Sequence, residues 1–188
     1  SSFQLDAIRD FKVAVSAFLN ISLNHLDWHG SFENYRAAKK KLVLAQVKGD
    51  AAILNRDDAV VWALRSEARS KVYAFSRRRK VANGCFLQDG RIVIRDLAET
   101  PLMKASEVRL PGLHNLENVM AAALVGHLFG VPPGRMRATI KEFKGLEHRL
   151  ENVLTIKGVR FVNDSKATTV AAAIKALESF DRKIVLIL

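Results

Sequence analysis

The sequence predicts an α/β protein: a mainly parallel β-sheet flanked by helices, with a small β-hairpin region. Short apolar and β-branched runs alternate along the chain with longer segments of helical periodicity, which is typical of parallel sheets joined by crossover helices. In two places, a pair of apolar runs is joined by a short turn sequence, Asp89-Gly90 or Lys157-Gly158, and such turns indicate β-hairpins. We therefore expect antiparallel pairing only locally.

The individual elements follow from spacing and from capping residues. Asp57 or Asp58 begins a helix in which Val60, Val61 and Leu64 recur at helical spacing. Other segments are predicted on the same grounds. The predicted order is a strand region over 11–21, a helix over 31–47, a strand over 51–54, a helix over 57–68, a strand over 71–76, a hairpin over 85–96, helices over 115–129 and 134–143, a hairpin over 150–162, a helix over 170–177 and a strand over 184–188.

Composition limits the classes of protein to which the chain can belong. Its 188 residues are 49% hydrophobic and suffice for one core, or for one core and part of a second. No apolar run reaches the ~18 residues of a membrane span and no signal peptide opens the chain, so we expect a cytoplasmic protein. Cys85 is the only cysteine, which excludes an internal disulfide and fits a reducing compartment. The net charge of +11 favours anionic partners such as nucleotides, nucleic acid or anionic lipid.

The ends of the chain and one internal region bear on domain organisation. The chain begins without a methionine, and residues 184–188 form an apolar, buried-type strand of the kind that normally leads into another helix. We therefore expect an internal segment of a longer chain. A domain boundary is expected between residues 145 and 149, which divides the chain into 1–147 and 148–188.

A polar loop at residues 163–168 is the most informative stretch of the chain. It follows a predicted strand and precedes a helix, the position at which α/β proteins bind phosphates and carboxylates. Asp164 could hold a metal or polarise a hydroxyl, Lys166 could neutralise an anion, and Thr168 could cap the helix and donate to a ligand. The alternative is a capped surface helix with an incidental lysine.

His25 and Asp27 lie in a loop that follows the first predicted strand. Loops at the carboxyl ends of strands are where α/β sheets bind ligands. A histidine can bind a metal through one ring nitrogen while a neighbour orients the other. The alternative is a loop histidine with an ordinary structural role.

Three consecutive lysines, Lys39 to Lys41, lie on a predicted helix and point in different directions. Lys39 follows Tyr35 by four residues and precedes Leu42 by three, so it lies on or beside the apolar stripe. A partly desolvated lysine has a lowered pKa and a reactive neutral amine, which can bind carbon dioxide as a carbamate. The alternative is an entirely solvent-facing run.

Residues 111–118 predict a helix N-terminus. Gly112 interrupts the chain and Asn115 is a suitable N-cap, which places His114 and Asn118 on or near the first turn. The residues alone indicate a well-formed helix start and no more.

Two arginine-containing segments allow different interpretations. Arg149 could clamp a phosphate or a ribose with its planar fork, or form an ion pair with Glu147 or Glu151. The basic run at 77–80 is interpreted as a solvated turn between strands, because no aromatic residues alternate with it in the manner of a nucleic-acid stacking platform.

These segments together resemble the Mur ligases. The resemblance rests on several separate motifs at consistent spacing. They are S-S-F-Q-L at 1–5, L-N-x-x-x-x-H-x-D at 19–27, Y-R-A-A-K at 35–39, G-x-H-N-x-x-N at 112–118, F-x-G-L-x-H-R-x-E at 143–151 and N-D-S-K-A-T at 163–168. Sister ligases typically carry D-Y-A-H or D-Y-N-A where this chain has D-S-K-A, so that corner separates members of the family.

The resemblance implies a fold and a set of functional residues. The fold would be the C-terminal part of a central ATPase-type domain, followed by the start of a Rossmann-like C-terminal domain. His25 and Lys39, the latter as a carbamate, would be Mg²⁺ ligands and catalytic residues together with Lys166; Asn24 stands where the family commonly has an acidic residue. The residues implied to position ATP are Asn115, Asn118, Arg149, Asp164 and Lys166, with His114 a weaker candidate. Those implied to lie near the substrates are Ser2, Gln4 and Thr168.

The activity implied by the resemblance is ATP-dependent amide ligation. The cofactors would be ATP and Mg²⁺, and D-glutamate would be joined to UDP-N-acetylmuramoyl-L-alanine through an acyl phosphate during cytoplasmic synthesis of peptidoglycan precursors. The protein would be a monomer that binds no nucleic acid. The segment has no G-x-x-x-x-G-K-[ST] loop and is expected to be inactive alone. The alternatives are another Mur ligase, a folylpolyglutamate synthetase-like ligase, or a basic, non-enzymatic binding module.

Overall fold

A computed structural model of the protein describes residues 1–181 and 183–187. It confirms the predicted α/β class, with a six-stranded sheet flanked by helices and a separate two-stranded hairpin sheet. The strands are β1 (Val15–Phe18), β2 (Ala51–Asn55), β3 (Lys71–Ser76), β4 (Gly84–Gln88), β5 (Arg91–Arg95), β6 (Glu99–Lys104), β7 (Glu151–Ile156) and β8 (Val159–Asn163). The helices are α1 (Ser2–Ala7), α2 (Leu26–His29), α3 (Phe32–Leu44), α4 (Ala59–Ala63), α5 (Leu113–Leu128), α6 (Pro133–Glu142) and α7 (Val170–Leu177).

The main sheet is parallel on one side and antiparallel on the other. Its spatial order follows the chain from β1 to β6; β1 to β4 pair in parallel, and β5 and β6 add as antiparallel neighbours. The parallel pair β3–β4 overlaps only from Ala74 opposite Gly84 to Ser76 opposite Phe86. Because the two strands are staggered, the short loop 77–83 can join them without a crossover helix.

The two faces of the sheet are covered by different helices. Residues at alternate positions of β2 to β5 pack against α5 and α6 in the largest core cluster, with Phe75 and Met120 fully buried. The intervening positions of β1 and β2 pack against α3 and α4, and Leu54 and Val61 are fully buried there. Period-2 alternation of strand side chains accounts for this division.

Helices α1 and α2 and strand β6 were not predicted from the sequence; α2 includes Asp27, which was expected in a loop. Helix α1 begins with a capping box in which Gln4 N–H donates to Ser1 Oγ, while Gln4 Oε1 accepts a hydrogen bond from the Ser1 amino group. Strand β6 contains Pro101, which argues against a central strand but is compatible with the edge position that β6 occupies. The strand region predicted over 11–21 is shorter in the structure, where β1 has four residues.

The predicted strand over 184–188 is not found. Residues 183–187 have no regular secondary structure and are mostly exposed, with Val185 at 90% exposure, and Leu188 lies outside the described residues. The apolar composition alone suggested a strand, but in the described part of the chain this segment pairs with no strand. The hairpin over 150–162 is confirmed as β7 and β8, with Lys157 at a left-handed φ of 48° in its turn.

The hairpin sheet and α7 bury little apolar surface among the residues that the structure describes. Val153, Val159 and Phe161 are about half exposed, as is Ile174 on α7. Among the described residues, none of the core clusters contains a residue beyond Ile140. The packed core of the described residues therefore belongs to the six-stranded sheet. Within that same part of the chain, no helix is long and apolar enough to cross a membrane.

A buried glutamine holds together three segments near the start of the sheet. Gln46 is fully buried, and its Oε1 accepts hydrogen bonds from Ser16 Oγ at 2.9 Å and Ser70 Oγ at 3.2 Å. Its Nε2 donates to the carbonyl oxygens of Ala51, at 2.8 Å, and Val13, at 3.3 Å. All four hydrogen-bonding positions of the amide are thus satisfied by protein.

We expect Gln46→Ala to lower the free energy of unfolding by about 3 kcal/mol, because it leaves a cavity and several buried polar groups without a partner. Urea denaturation measures the change. Gln88→Ala is the matched control, since Gln88 Oε1 is buried without a hydrogen-bond partner among the described residues and its loss should change stability by less than about 1 kcal/mol. Equal losses in the two variants would contradict the role assigned to Gln46.

Candidate functional site

An aromatic cluster brings together the two residues that were predicted to bind metal. The His25 ring lies 4.8 Å from that of Phe3 and 6.4 Å from that of Tyr35, measured between centroids. Lys39 Nζ lies 5.2 Å from the centroid of the same Tyr35 ring. Helix α3 presents Tyr35 and Lys39 one turn apart, while His25 precedes α2 in a left-handed conformation with φ 54°. The histidine and the lysine therefore flank one tyrosine.

Lys39 is the partly desolvated lysine that its spacing predicts. It is half-buried, and burial lowers the pKa of its ammonium below the usual range. Its neighbours have separate partners: Lys40 forms an ion pair with Glu67 at 2.7 Å, and Lys41 pairs with Asp6 at 3.1 Å. Of the three lysines, Lys39 has the surroundings that favour a neutral, reactive amine.

His29 also belongs to this cluster and was not singled out from the sequence. It is buried, its ring lies 5.5 Å from Tyr35, and its Nε2 has no hydrogen-bond partner among the described residues. The i, i+4 spacing from His25 on a short helix was the available signal. Burial also raises the pKa of the Tyr35 phenol.

His25 and Lys39 are the two residues that the sequence resemblance implies for a magnesium site, and the structure brings both beside Tyr35. Mg²⁺ prefers oxygen ligands, so a carbamate on Lys39 fits that preference better than the imidazole of His25 does. Within residues 1–181 and 183–187, no group of three or more His, Cys, Asp or Glu side chains is placed to hold a metal ion. The lowered pKa of Lys39 is the observation that fits carbamate formation.

The two residues predicted near the substrates in the first segment differ in accessibility. Ser2 is buried at the start of α1, and Gln4 is exposed but uses its side chain in the capping box of that helix. Helix α1 packs on α3, so both lie near the aromatic cluster through Phe3. Gln4 is therefore the more accessible of the two.

The N-terminus of α5 is a second candidate site, and its cap was predicted wrongly. The N-cap is Gly112, with φ 90°, rather than Asn115, which lies within the first turn. Asn115 is buried; its Nδ2 donates to Pro111 O at 2.7 Å and its Oδ1 accepts from Asn118 Nδ2 at 3.3 Å. Asn115 thus holds the preceding loop and orients Asn118, which is the more accessible of the two.

A small cleft separates the start of α5 from α7. His114 and Glu117 line one side of it, and Lys175 and Glu178 line the other. Arg77, which directly follows β3, pairs with Glu117 at 2.7 Å. The sequence did not predict this pairing, because the two residues are distant in the chain.

Burial lowers the pKa of His114 below its usual value, because it disfavours the charged form of the ring. Nearby charges act in both directions: Glu117 and Asp164 raise the pKa, whereas Lys175 and Arg149 lower it. Arg149 and Asp164, which the sequence had assigned to separate motifs, therefore lie close enough to the α5 start for their charges to act on His114.

The two motifs at 143–151 and 163–168 interlock through hydrogen bonds. Asp164 Oδ1 accepts from Leu150 N–H at 3.1 Å, and His148 O accepts from Lys166 N–H at 3.1 Å. Glu151 Oε2 accepts from His148 N–H, and Asn163 Nδ2 lies 2.9 Å from His148 Nδ1. The Asp164 carboxylate therefore links the two motifs, whether or not it also contacts a ligand.

The remaining predicted side chains in this region are exposed. Lys166 and Arg149 both reach solvent, and Arg149 forms no ion pair with either neighbouring glutamate among the described residues. Thr168 was predicted to cap α7, but it does not. Thr169 is the cap, and its Oγ1 accepts from Ala172 N–H at 3.2 Å, because α7 begins one residue later.

The structure of the segments after β2 and β3 answers two questions that the sequence left open: which aspartate caps α4, and whether the basic run at 77–80 is a solvated turn. Asp58 caps α4, whereas Asp57 Oδ1 accepts from Ser76 Oγ at 2.7 Å and so joins the ends of the two strands. The basic run at 77–80 was predicted to be a solvated turn, and this holds for only part of it. Arg77 has its ion pair with Glu117, while the next three residues are exposed.

Comparison with solved structures defines the fold class. The chain superposes on MurF from Acinetobacter baumannii with a TM-score of 0.68 at 18% identity, covering 89% of this chain and 38% of that one. It also matches a pseudomurein peptide ligase type C from Methanothermus fervidus, with a TM-score of 0.65 at 16% identity, covering 89% of this chain and 41% of that one. The chain has the α/β fold of these ligase structures.

The particular family follows from the sequence comparisons. Residues 1–126 match the model of the Mur ligase middle domain, and the chain belongs to the Mur ligase family. Over its whole length it is 46% identical to UDP-N-acetylmuramoylalanine--D-glutamate ligase of Acidobacterium capsulatum and 45% identical to that of Koribacter versatilis. It spans 41% and 42% of the length of these relatives, respectively.

Proposed function

We propose that the chain is part of an ATP-dependent ligase that joins D-glutamate to UDP-N-acetylmuramoyl-L-alanine. The observation that carries the proposal is similarity along the whole chain to ligases named for that reaction, at 43–46% identity in three relatives. The N-D-S-K corner supports the same member of the family. The enzyme is proposed to act in the cytoplasm as a monomer during synthesis of peptidoglycan precursors.

The domain division proposed for this enzyme lies at residues 147 and 148. Among the described residues the clustered core ends before Gly145, and His148 is the first residue to take part in the hydrogen bonds that interlock the two following motifs. Residues 1–147 then form the C-terminal part of the central ATP-binding domain, and 148–188 begin the C-terminal domain. ATP would be bound where these parts meet, at the start of α5.

The proposed reaction transfers the γ-phosphoryl group of ATP to the free carboxylate of UDP-N-acetylmuramoyl-L-alanine. The amine of D-glutamate then attacks the acyl phosphate and releases phosphate. Mg²⁺ would offset the repulsion between the anions. His25 and a carbamate on Lys39 would hold one metal ion, while Ser2 and Gln4 would lie toward the sugar-peptide substrate.

The residues proposed for ATP come from the start of α5 and from the two interlocked motifs at 143–151 and 163–168. Asn118 would approach the adenine, with Asn115 as its positioning partner through their hydrogen bond. Arg149 and Lys166 are exposed cations that could reach phosphates, and Asp164 holds their loop in place. Thr168 would approach the reacting groups together with Lys166 when the domains close.

An acceptor assay on the full-length polypeptide tests the proposed function. We expect phosphate release that requires both UDP-N-acetylmuramoyl-L-alanine and D-glutamate. L-lysine, diaminopimelate and L-glutamate serve as competing acceptors, because another Mur ligase or a folylpolyglutamate synthetase-like enzyme would prefer one of them. Preference for any of these three over D-glutamate would overturn the assignment.

Lys166→Ala should lower kcat/KM of the full-length enzyme by about 10²-fold, because a cation near the transferred phosphoryl group is lost. Lys157→Ala, in the β7–β8 turn, is the matched control and should leave kcat and KM within about twofold. Unchanged turnover and Michaelis constants in Lys166→Ala would remove Lys166 from the catalytic set.

A further inference from the structure

A second concave site lies beside α4, on the face of the sheet opposite α5. It is an open cavity of about 500 Å³, which we call the Trp62 cavity, and its floor is formed by Val72 and Ala74 of β3. Its wall carries Arg56, Arg65 and Lys80 around the Trp62 indole. A volume of this order is typical of pockets that take small molecules.

The two arginines are held in position by the indole. The guanidinium carbons of Arg56 and Arg65 lie 4.5 Å and 4.9 Å from the centroid of the Trp62 ring. Arg65 is fixed further, because its Nη1 donates to Trp62 O at 2.9 Å. A guanidinium stacked on a ring keeps its N–H edges available for an anion, so the donors are arranged before a ligand arrives.

The charged side chains that line the cavity, among the described residues, are all cations. Lys80, whose Nζ lies 5.9 Å from the centroid of the Phe86 ring, adds a third cation from the loop 77–83. No aspartate or glutamate lines the cavity in the part of the chain that the structure describes. Three cations in one cavity repel one another, and a bound anion relieves this repulsion. The net charge of +11 also raises the concentration of anions near the protein.

We propose that the Trp62 cavity binds a compact polyanion of the phosphate class, such as an inorganic di- or triphosphate or the phosphate chain of a small metabolite. Phosphate is favoured because arginine forks match its oxygens in pairs while a lysine supplies a point charge. A bounded cavity with converging cations fits a small ligand better than an extended nucleic-acid strand, which is tracked along a groove. The site is separate from the residues proposed for ATP, because those lie at the start of α5 and in the motifs at 143–151 and 163–168, and none of them lines the Trp62 cavity.

Protection from arginine and lysine modification tests this site directly. The full-length polypeptide is treated with phenylglyoxal or with an acetylating reagent, with and without inorganic tripolyphosphate, and each residue is quantified by peptide mass spectrometry. We expect tripolyphosphate to slow modification of Arg56, Arg65 and Lys80 by about fivefold or more. Arg78, exposed in the same basic run, is the internal control and should change by less than about twofold.

Binding measurements on variants complete the test. By calorimetry, Arg56→Ala and Lys80→Ala should each weaken tripolyphosphate binding at this site about tenfold, while Arg78→Ala should not. Equal protection of Arg78, or no protection of the three cavity cations at ~10 mM tripolyphosphate, would overturn the proposal. Tighter, Arg78-dependent binding of a single-stranded oligonucleotide would instead assign the surface to nucleic acid.

Discussion

Replacing Gly84 by alanine should prevent the six-stranded sheet from forming in its present register. Gly84 has φ +138° and stands opposite Ala74 in the parallel pair β3–β4. A Cβ at this position would lie 1.7 Å from Ala74 O and 2.7 Å from Ala74 C and N, all of them backbone atoms. Since backbone cannot move aside as the end of a side chain can, we expect a loss of more than about 4 kcal/mol in the free energy of unfolding.

The measurement is urea denaturation, with the yield of soluble protein as a second readout. Gly90→Ala is the matched control: Gly90 also has a positive φ, +69°, but nothing lies within 4 Å of the position that an added methyl group would occupy. That variant should lose only about 1–2 kcal/mol, the cost of a left-handed residue. Equal stability losses at the two positions would show that β3 and β4 do not approach each other as described.

Lys39→Ala should remove most of the ligase activity proposed for the full-length enzyme. We expect kcat/KM to fall by about 10²–10³-fold, because the variant can form no carbamate to take part in magnesium binding. Lys40→Ala is the matched control, since Lys40 is engaged in an exposed ion pair with Glu67 and its loss should change activity by less than about twofold.

Carbamate formation can be measured apart from activity. With ¹³C-labelled bicarbonate, the wild-type protein and Lys40→Ala should show a carbamate resonance that Lys39→Ala lacks. Burial lowers the pKa of Lys39, so its neutral amine is present at a lower pH than that of an exposed lysine, and the signal should grow as pH rises toward that pKa. A resonance that persists in Lys39→Ala would move the carbamate to another lysine.

Local spacing was sufficient to predict several features of the site. Tyr35 and Lys39 are four residues apart on one helix, and this geometry alone places the lysine beside the apolar stripe, where the structure finds it half-buried. The turns at Asp89-Gly90 and Lys157-Gly158 produce the expected hairpins because each depends on neighbouring residues. Motif spacing likewise indicated the family, because each motif is a short run of residues that can be recognised from its order alone.

Helix ends were predicted less well, because competing caps differ by one to three residues. Asn115 and Thr168 are both reasonable caps by composition, yet Gly112 and Thr169 occupy those positions. The choice depends on where the preceding loop enters the helix. For α5, that loop is held by the bond from Asn115 Nδ2 to Pro111 O.

The sequence by itself therefore determined the α/β class, the order of most elements, the family and the partly desolvated position of Lys39 on its helix. These properties depend on composition and on contacts within a helix turn or a hairpin. Only the tertiary structure decided that His25 and Lys39 flank one ring, that Asp164 bonds to Leu150, and that Arg56, Arg65 and Lys80 share one cavity. Such contacts join residues that are distant along the chain, and strand pairing and helix packing are what bring them together.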